Sequence, residues 1–151
     1  MPITIRRGTT DDIPLIVDFN CRLALESEGK TLEVPVLTAG VKAAMEDPSK
    51  GPYYLAADGD TVLGQTQITF EWSDWRNGWI WWIQGVYVRA EARRSGVFRA
   101  LYEHIWGEAR RAGNVIALRL YVDKENQGAQ VTYRQMGMAP SNYLLYERSP
   151  L

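Results

Sequence analysis

Residues Ile3 to Arg7 alternate apolar and polar side chains, the two-residue period of a half-buried strand. Thr9 and Thr10, followed by Asp11 and Asp12, predict a helix start, with hydroxyls to cap it and carboxylates against the positive end of its dipole. The period then changes. Ile13, Ile16, Val17, Cys21 and Ala24 fall on one helical face, and Pro14 sits in the first turn, where it is tolerated. Glu26-Ser27-Glu28-Gly29-Lys30 ends this helix, and Val34, Leu37, Val41, Ala44 and Met45 mark a second one that stops before Pro48. Tyr53–Ala57 and Val62–Phe70 read as strands joined at Asp58-Gly59-Asp60. A third strand, Trp79–Val88, is entered through Asn77-Gly78, a strong hairpin signal. Ile80-Trp81-Trp82-Ile83 is apolar on both faces, as a central strand would be. Gly85 interrupts it, which predicts a bulge or a close approach by a ligand or another backbone.

Beyond Gly96 the helical period returns up to about Arg111, with a stripe of Val97, Leu101, Ile105 and Ala109 widened by Phe98 and Tyr102. Ala112-Gly113-Asn114 ends it. Val115–Val122 reads as a strand, Asn126–Gln135 as a short helix stopped by Gly137, and Tyr143–Tyr146 as a final strand. The order β-α-α-β-β-β-α-β-α-β predicts an α/β chain in the broad sense: a mixed α+β sheet flanked by helices. At 151 residues it is expected to form one domain, 1–151, with a substantial core.

Composition removes several classes of function. With 17 basic and 18 acidic residues the net charge is −1, so no basic excess points to nucleic acid or an anionic membrane surface. No apolar run reaches the length of a membrane span, and the opening residues are not those of a signal peptide. The single cysteine, Cys21, cannot form an internal disulfide, which fits a reducing, cytoplasmic setting. It lies on the apolar side of its helix and reads as packing.

Two segments could carry chemistry. Val86-Tyr87-Val88, a short loop, and Arg93-Arg94-Ser95-Gly96 opening a helix form a strand–loop–helix unit. A helix start offers unpaired N–H groups and partial positive charge, so an anion is bound there by backbone donors. Gly96 lets the anion approach closely, and the two arginines add charge. Alone, the segment also reads as a solvated basic turn. The second segment is Asn126, Ala129 and Tyr133, which share one face of a short helix. Alone, it reads as a helix cap and a packed tyrosine.

Taken together, Arg93-x-x-Gly96-x-Phe98 after Val86-Tyr87-Val88, and Asn126-x-x-Ala129-x-x-x-Tyr133 followed by Met136-Gly137-Met138, resemble the GCN5-related N-acetyltransferases (GNAT). Ile3-Thr4-Ile5-Arg6 and Thr10-Asp11-Asp12 are similar to that family's N-terminus, and the element order matches nearly throughout. One departure is Phe98, where the family prefers Gly or Ala. Its place beside the apolar stripe predicts that it turns into the core, leaving the phosphate contact to the backbone from Arg94 to Val97.

The resemblance implies direct transfer of an acetyl (acyl) group from acetyl-CoA to an amine, with no metal. It implies a cofactor surface of Val86, Tyr87, Val88, Arg93, Arg94, Ser95, Gly96, Val97, Phe98, Asn126 and Ala129. Pantetheine amides would pair with free strand groups, and a strand N–H would steady the oxyanion. Tyr133 matches the family's general acid. A phenol near pKa 10 and a thiol near 8.5 make full proton transfer uphill by roughly 2 kcal/mol, so a hydrogen bond to the thiolate is the expected role. Glu71 is the first candidate for the base, with Glu26, Glu28 and Asp74 as further carboxylates. Trp72, Trp75 and Trp79 would line an acceptor site or an oligomer contact; Glu28, Trp72 and Asp74 are the expected acceptor-binding residues. Trp81 and Trp82 are expected in the sheet core, and His104, off the apolar stripe, is not expected in catalysis. The expected partners are a small-molecule or peptide amine and, through the Trp-rich hairpin, a second copy of the chain. The alternative is a non-catalytic acyl-CoA sensor or partner-binding module on the same fold.

Overall fold

The computed structural model describes residues 2–151. The chain divides into two compact units, one ending at Tyr121 and one running Val122–Leu151. The first unit holds β1 (Thr4–Arg7), α1 (Ile13–Glu28), α2 (Val34–Glu46), β2 (Tyr53–Asp58), β3 (Thr61–Ser73), β4 (Gly78–Val88), α3 (Val97–Ala112) and β5 (Val115–Leu120). Its sheet has the order β1-β2-β3-β4-β5, antiparallel except for the β4–β5 pair, which is parallel because α3 carries the chain back.

The two faces of the sheet are covered differently. Tyr53, Leu55 and Ala57 of β2, Val62 of β3 and Tyr87 of β4 pack with Ile16, Val17 and Phe19 of α1 and Val41 and Ala44 of α2. Cys21 joins this core from its edge. The opposite face meets α3, whose buried residues Val97, Leu101, Ile105 and Ala109 are the stripe read from the sequence. His104 of α3 lies against the Tyr54 ring at 5.6 Å, in packing. Burying a side chain such as Leu101 or Ile105 contributes about 1.5–3 kcal/mol.

The start of α1 is tied to β1. Arg6 donates from both terminal nitrogens to Asp12, at 2.8 and 2.9 Å, and the Thr9 N–H donates to the same carboxylate at 2.8 Å. The Arg6 guanidinium and these donors hold the Asp12 carboxyl at about 2, below the usual carboxylate range.

The Asn77-Gly78 signal does mark a hairpin. Ser73 pairs with Gly78, and Asn77 takes the left-handed conformation, φ 49°, that Asn tolerates. Two expectations about the strands fail. Trp81 and Trp82 are half-buried rather than core. Nor is 143–146 a strand: in the second unit α4 (Gln127–Gln135) is the regular element, and Leu144, Leu145 and Tyr146 are exposed. An apolar run has strand propensity, but propensity becomes a strand only where a sheet edge takes it up.

Among the described residues no helix is long and apolar enough to cross a membrane.

Candidate functional site

β4 changes character along its length. From Trp79 to Ile83 it is paired on both sides, with β3 and with Val115–Leu120 of β5. From Gln84 to Val88 the β5 pairing has ended, and only β3 remains alongside. At the changeover sits the irregularity foreseen from Gly85. Gln67 pairs with Gln84 but Gln65 pairs with Tyr87, so two residues of β4, Gly85 and Val86, oppose Thr66 alone. Gly85 takes φ 58°, which favours glycine. The extra residue switches the alternation. Tyr87, rather than Val86, turns to α1, its ring 5.1 Å from that of Phe19.

The bulge is held by side chains. Thr66 Oγ1–H donates to the Gln84 carbonyl at 2.7 Å, and Gln65 Nε2–H donates to the Gly85 carbonyl at 3.3 Å. Both residues are fully buried, and they are the two buried polar side chains among the described residues. Gln65 Oε1 has no hydrogen-bond partner, a burial that costs about 1–3 kcal/mol.

Past Val88 a short turn at Ala90–Ala92 leads to the α3 start. Arg89 anchors it, donating from N–H to Leu63 O at 2.8 Å and from Nε to Val62 O at 2.7 Å. Arg93 Nε donates to Val88 O at 2.9 Å, its guanidinium lies 5.6 Å from the Tyr87 ring centroid, and it pairs with Glu26 at 2.6 Å. Ser95 Oγ donates to Ala92 O. Arg94 has φ 63° and Gly96 φ 85°, whereas Ser95 between them and Val97 after them are not in the left-handed region. Such alternation turns successive N–H groups toward one side and makes an anion-binding concavity. The α3 ladder opens with Ala100 N–H to Gly96 O, so the N–H groups ahead of it precede the helix hydrogen bonds. A Cβ on Gly96 would meet no atom within 4 Å, so the space is open.

Phe98 departs from expectation. Val97 is the buried residue at this turn, and Phe98 is half-buried with its ring 6.1 Å from Tyr102. Adjacent helical residues point about 100° apart, and at this turn Val97 holds the core position while Phe98 sits at its margin.

The polar candidates near the hairpin separate by strand alternation. Glu71 shares a face with Thr69 and, across the pair, with Trp82, Gln84 and Arg119. Its carboxylate accepts the Trp82 Nε1–H at 2.9 Å and lies 3.9 Å from Arg119. Trp82 in turn stacks on Tyr121 at 4.6 Å. Trp72 points to the opposite face, edge-on to Trp79 at 5.0 Å, so the aromatic beside Glu71 is Trp82 and not Trp72. Trp75 is exposed in the hairpin loop. Asp74 Oδ1 accepts the adjacent Trp75 N–H at 2.9 Å. Glu28 is exposed at the last residue of α1. Glu26 is engaged with Arg93.

The remaining candidates lie in the second unit. Asn126 Oδ1 accepts the Ala129 N–H at 3.1 Å, a helix cap, which uses the Asn side chain locally. Tyr133 lies on α4, and burial pushes its phenol pKa up.

Sequence reading passed over Gln65, Thr66, Trp82 as a partner of Glu71, and Arg119. Gly85 was the available signal for the first two, because a bulge leaves carbonyls that need side-chain donors.

The sequence matches the acetyltransferase (GNAT) family over residues 21–138. Among solved structures the chain is similar to a possible acetyltransferase from Clostridium difficile 630, with 44% identity, a TM-score of 0.92, and coverage of 100% of this chain and 99% of that one. It shares its fold with a predicted acetyltransferase with acetyl-CoA from Clostridium acetobutylicum, at 18% identity and a TM-score of 0.80 over 97% and 96% of the two chains. No curated protein matches it.

Proposed function

The chain belongs to the acetyltransferase (GNAT) family, and on that premise we propose that it moves an acetyl (acyl) group from acetyl-CoA to an amine by direct attack in a ternary complex. The observation that carries the reading is the open half of β4. The strand loses its β5 partner at Ile83, bulges at Gly85, and runs within a few residues into the alternating turn at Arg94–Gly96.

Each part has a use in this chemistry. The backbone of Ser95, Gly96 and Val97 holds the pyrophosphate, with Arg94 adding charge. Gln84–Val88 offers strand groups to the pantetheine amides. An N–H of the bulge donates to the thioester oxygen as it gains charge. The acceptor amine, with pKa near 10, must lose a proton before attack, and Glu71 takes it directly or through a water. An ionised carboxylate has about four lone-pair sites, so the Trp82 N–H leaves acceptor capacity. Tyr133 hydrogen-bonds the departing thiolate. Its raised pKa keeps it protonated at neutral pH and argues against full proton transfer.

A thiol-release screen of acetyl-CoA against amino acids, polyamines, aminoglycosides and peptides tests the reading. Release with at least one amine is expected. Acetyl-CoA binding without release across the panel would instead favour a sensor. Tyr133→Phe should lower kcat by about a hundredfold while acetyl-CoA affinity stays unchanged. Unaltered turnover would remove Tyr133 from the mechanism. Because burial raises the phenol pKa, Tyr133 should cause no fall in activity below about pH 10.

A further inference from the structure

The buried pair Gln65–Thr66 is not needed for packing, since an apolar pair would fill β3 without stranding Gln65 Oε1. What the two side chains do is grip consecutive carbonyls of β4. Thr66 holds the Gln84 carbonyl at 2.7 Å, and Gln65 holds the Gly85 carbonyl at 3.3 Å. Gly85 offers an acceptor, so the Gln65 amide must present its NH2 end. That requirement explains why the other end is left without a partner.

A trans peptide is planar, and its N–H points opposite to its C=O. The peptide joining Gln84 to Gly85 therefore directs the Gly85 N–H away from the Thr66 hydroxyl. The next peptide directs the Val86 N–H away from the Gln65 amide. Both N–H groups lie just beyond the last β4–β5 rung, Ile83 with Leu120. We propose that Gln65 and Thr66 are positioning residues for acetyl transfer: by fixing the Gln84 and Gly85 carbonyls they aim the bulge N–H groups at the thioester oxygen. The proposal rests on the acetyltransferase reading of the preceding section.

Three variants test it in the full chain: Thr66→Val, Thr66→Ser and Gln65→Met. Thr66→Val keeps the shape and loses the donor, whereas Thr66→Ser keeps the donor. Gln65→Met removes the stranded acceptor along with the grip, so its Tm should stay near wild type. With the best amine from the screen, kcat should fall between about tenfold and about a hundredfold in Thr66→Val and Gln65→Met. The KM for acetyl-CoA should move less than about threefold, and Thr66→Ser should recover most of kcat. In the ligand-free protein, the Gly85 and Val86 amide resonances should shift in Thr66→Val and Gln65→Met, and stay in place in Thr66→Ser. Wild-type kcat in both donor-deficient variants, or equal losses in Thr66→Ser and Thr66→Val, would overturn the proposal, as would unmoved amide resonances. Wild-type protein that binds acetyl-CoA but acetylates no amine would instead overturn the transfer reading, and this inference with it. The amide shifts would then still report whether the grip exists.

Discussion

The two halves of β4 are built on opposite plans. Trp79–Ile83 has a strand on each side, and Ile80 and Ile83 are buried. Gln84–Val88 has one neighbouring strand, a bulge, and carbonyls held by side chains. The first half is a supported beam, paired with β3 and β5 and broken only by a register shift against β5 at Trp79/Ile80. The second half gives up a ladder, which exposes backbone, and recovers order through Thr66, Gln65 and Arg89. One strand can therefore supply both rigidity and binding groups, provided that the change occurs at a single bulge.

Substitutions should affect the two halves separately. Ile83→Ala, at the last doubly paired position, opens a cavity in the supported half. It should cost about 2–5 kcal/mol, read in urea melts, with acetyl-CoA affinity of the folded fraction preserved. Gly96→Ala acts beyond the open half. The space is free but φ 85° is not, so about 1–2 kcal/mol of backbone cost should weaken acetyl-CoA binding roughly five- to thirtyfold by calorimetry. If Gly96→Ala lowered Tm as much as Ile83→Ala, the division between the halves would fail. Trp82→Phe keeps a ring against Tyr121 and removes the donor to Glu71. It should change kcat/KM for the amine by about fivefold or less, about 1 kcal/mol, and leave the acetyl-CoA KM alone.

Asp12→Asn lies outside β4 and serves as the baseline. The loss should be roughly 0.5–1 kcal/mol at pH 7, because Arg6 is half exposed. The Asp12 pKa is held at about 2, below its model-peptide range near 3.9. Its stabilisation is therefore fully present above about pH 4 and is lost as pH falls through about 2. The wild-type advantage in Tm over Asp12→Asn should shrink across that window.

What could be read from the sequence was local and periodic. The stripe Val97, Leu101, Ile105 and Ala109 is buried as its spacing required, and Gly85 inside a strand did mark a bulge. Readings failed where a residue's role depends on a partner far along the chain. Gln65 and Thr66 sit in an unbroken polar run of β3, Gln65-Thr66-Gln67, and nothing nearby shows that a bulge twenty residues on needs their donors. Glu26 meets Arg93 across 67 positions. Trp82 belongs to an apolar run, so its indole N–H was not expected to hold a carboxylate. The stretch 143–146 has strand chemistry without a place in the five-stranded sheet.

The ties on Arg93 bear on how fast the protein meets its ligand. The side chain already has partners in Val88 O, the Tyr87 ring and Glu26. The entropy of ordering this long, rotamer-rich group is therefore surrendered during folding, not at the encounter. Its charge is largely answered by Glu26, so attraction of an anion at a distance falls mainly to Arg94. Under the acetyl-CoA reading proposed above, arrival of the ligand at this loop should then depend on diffusion and salt concentration.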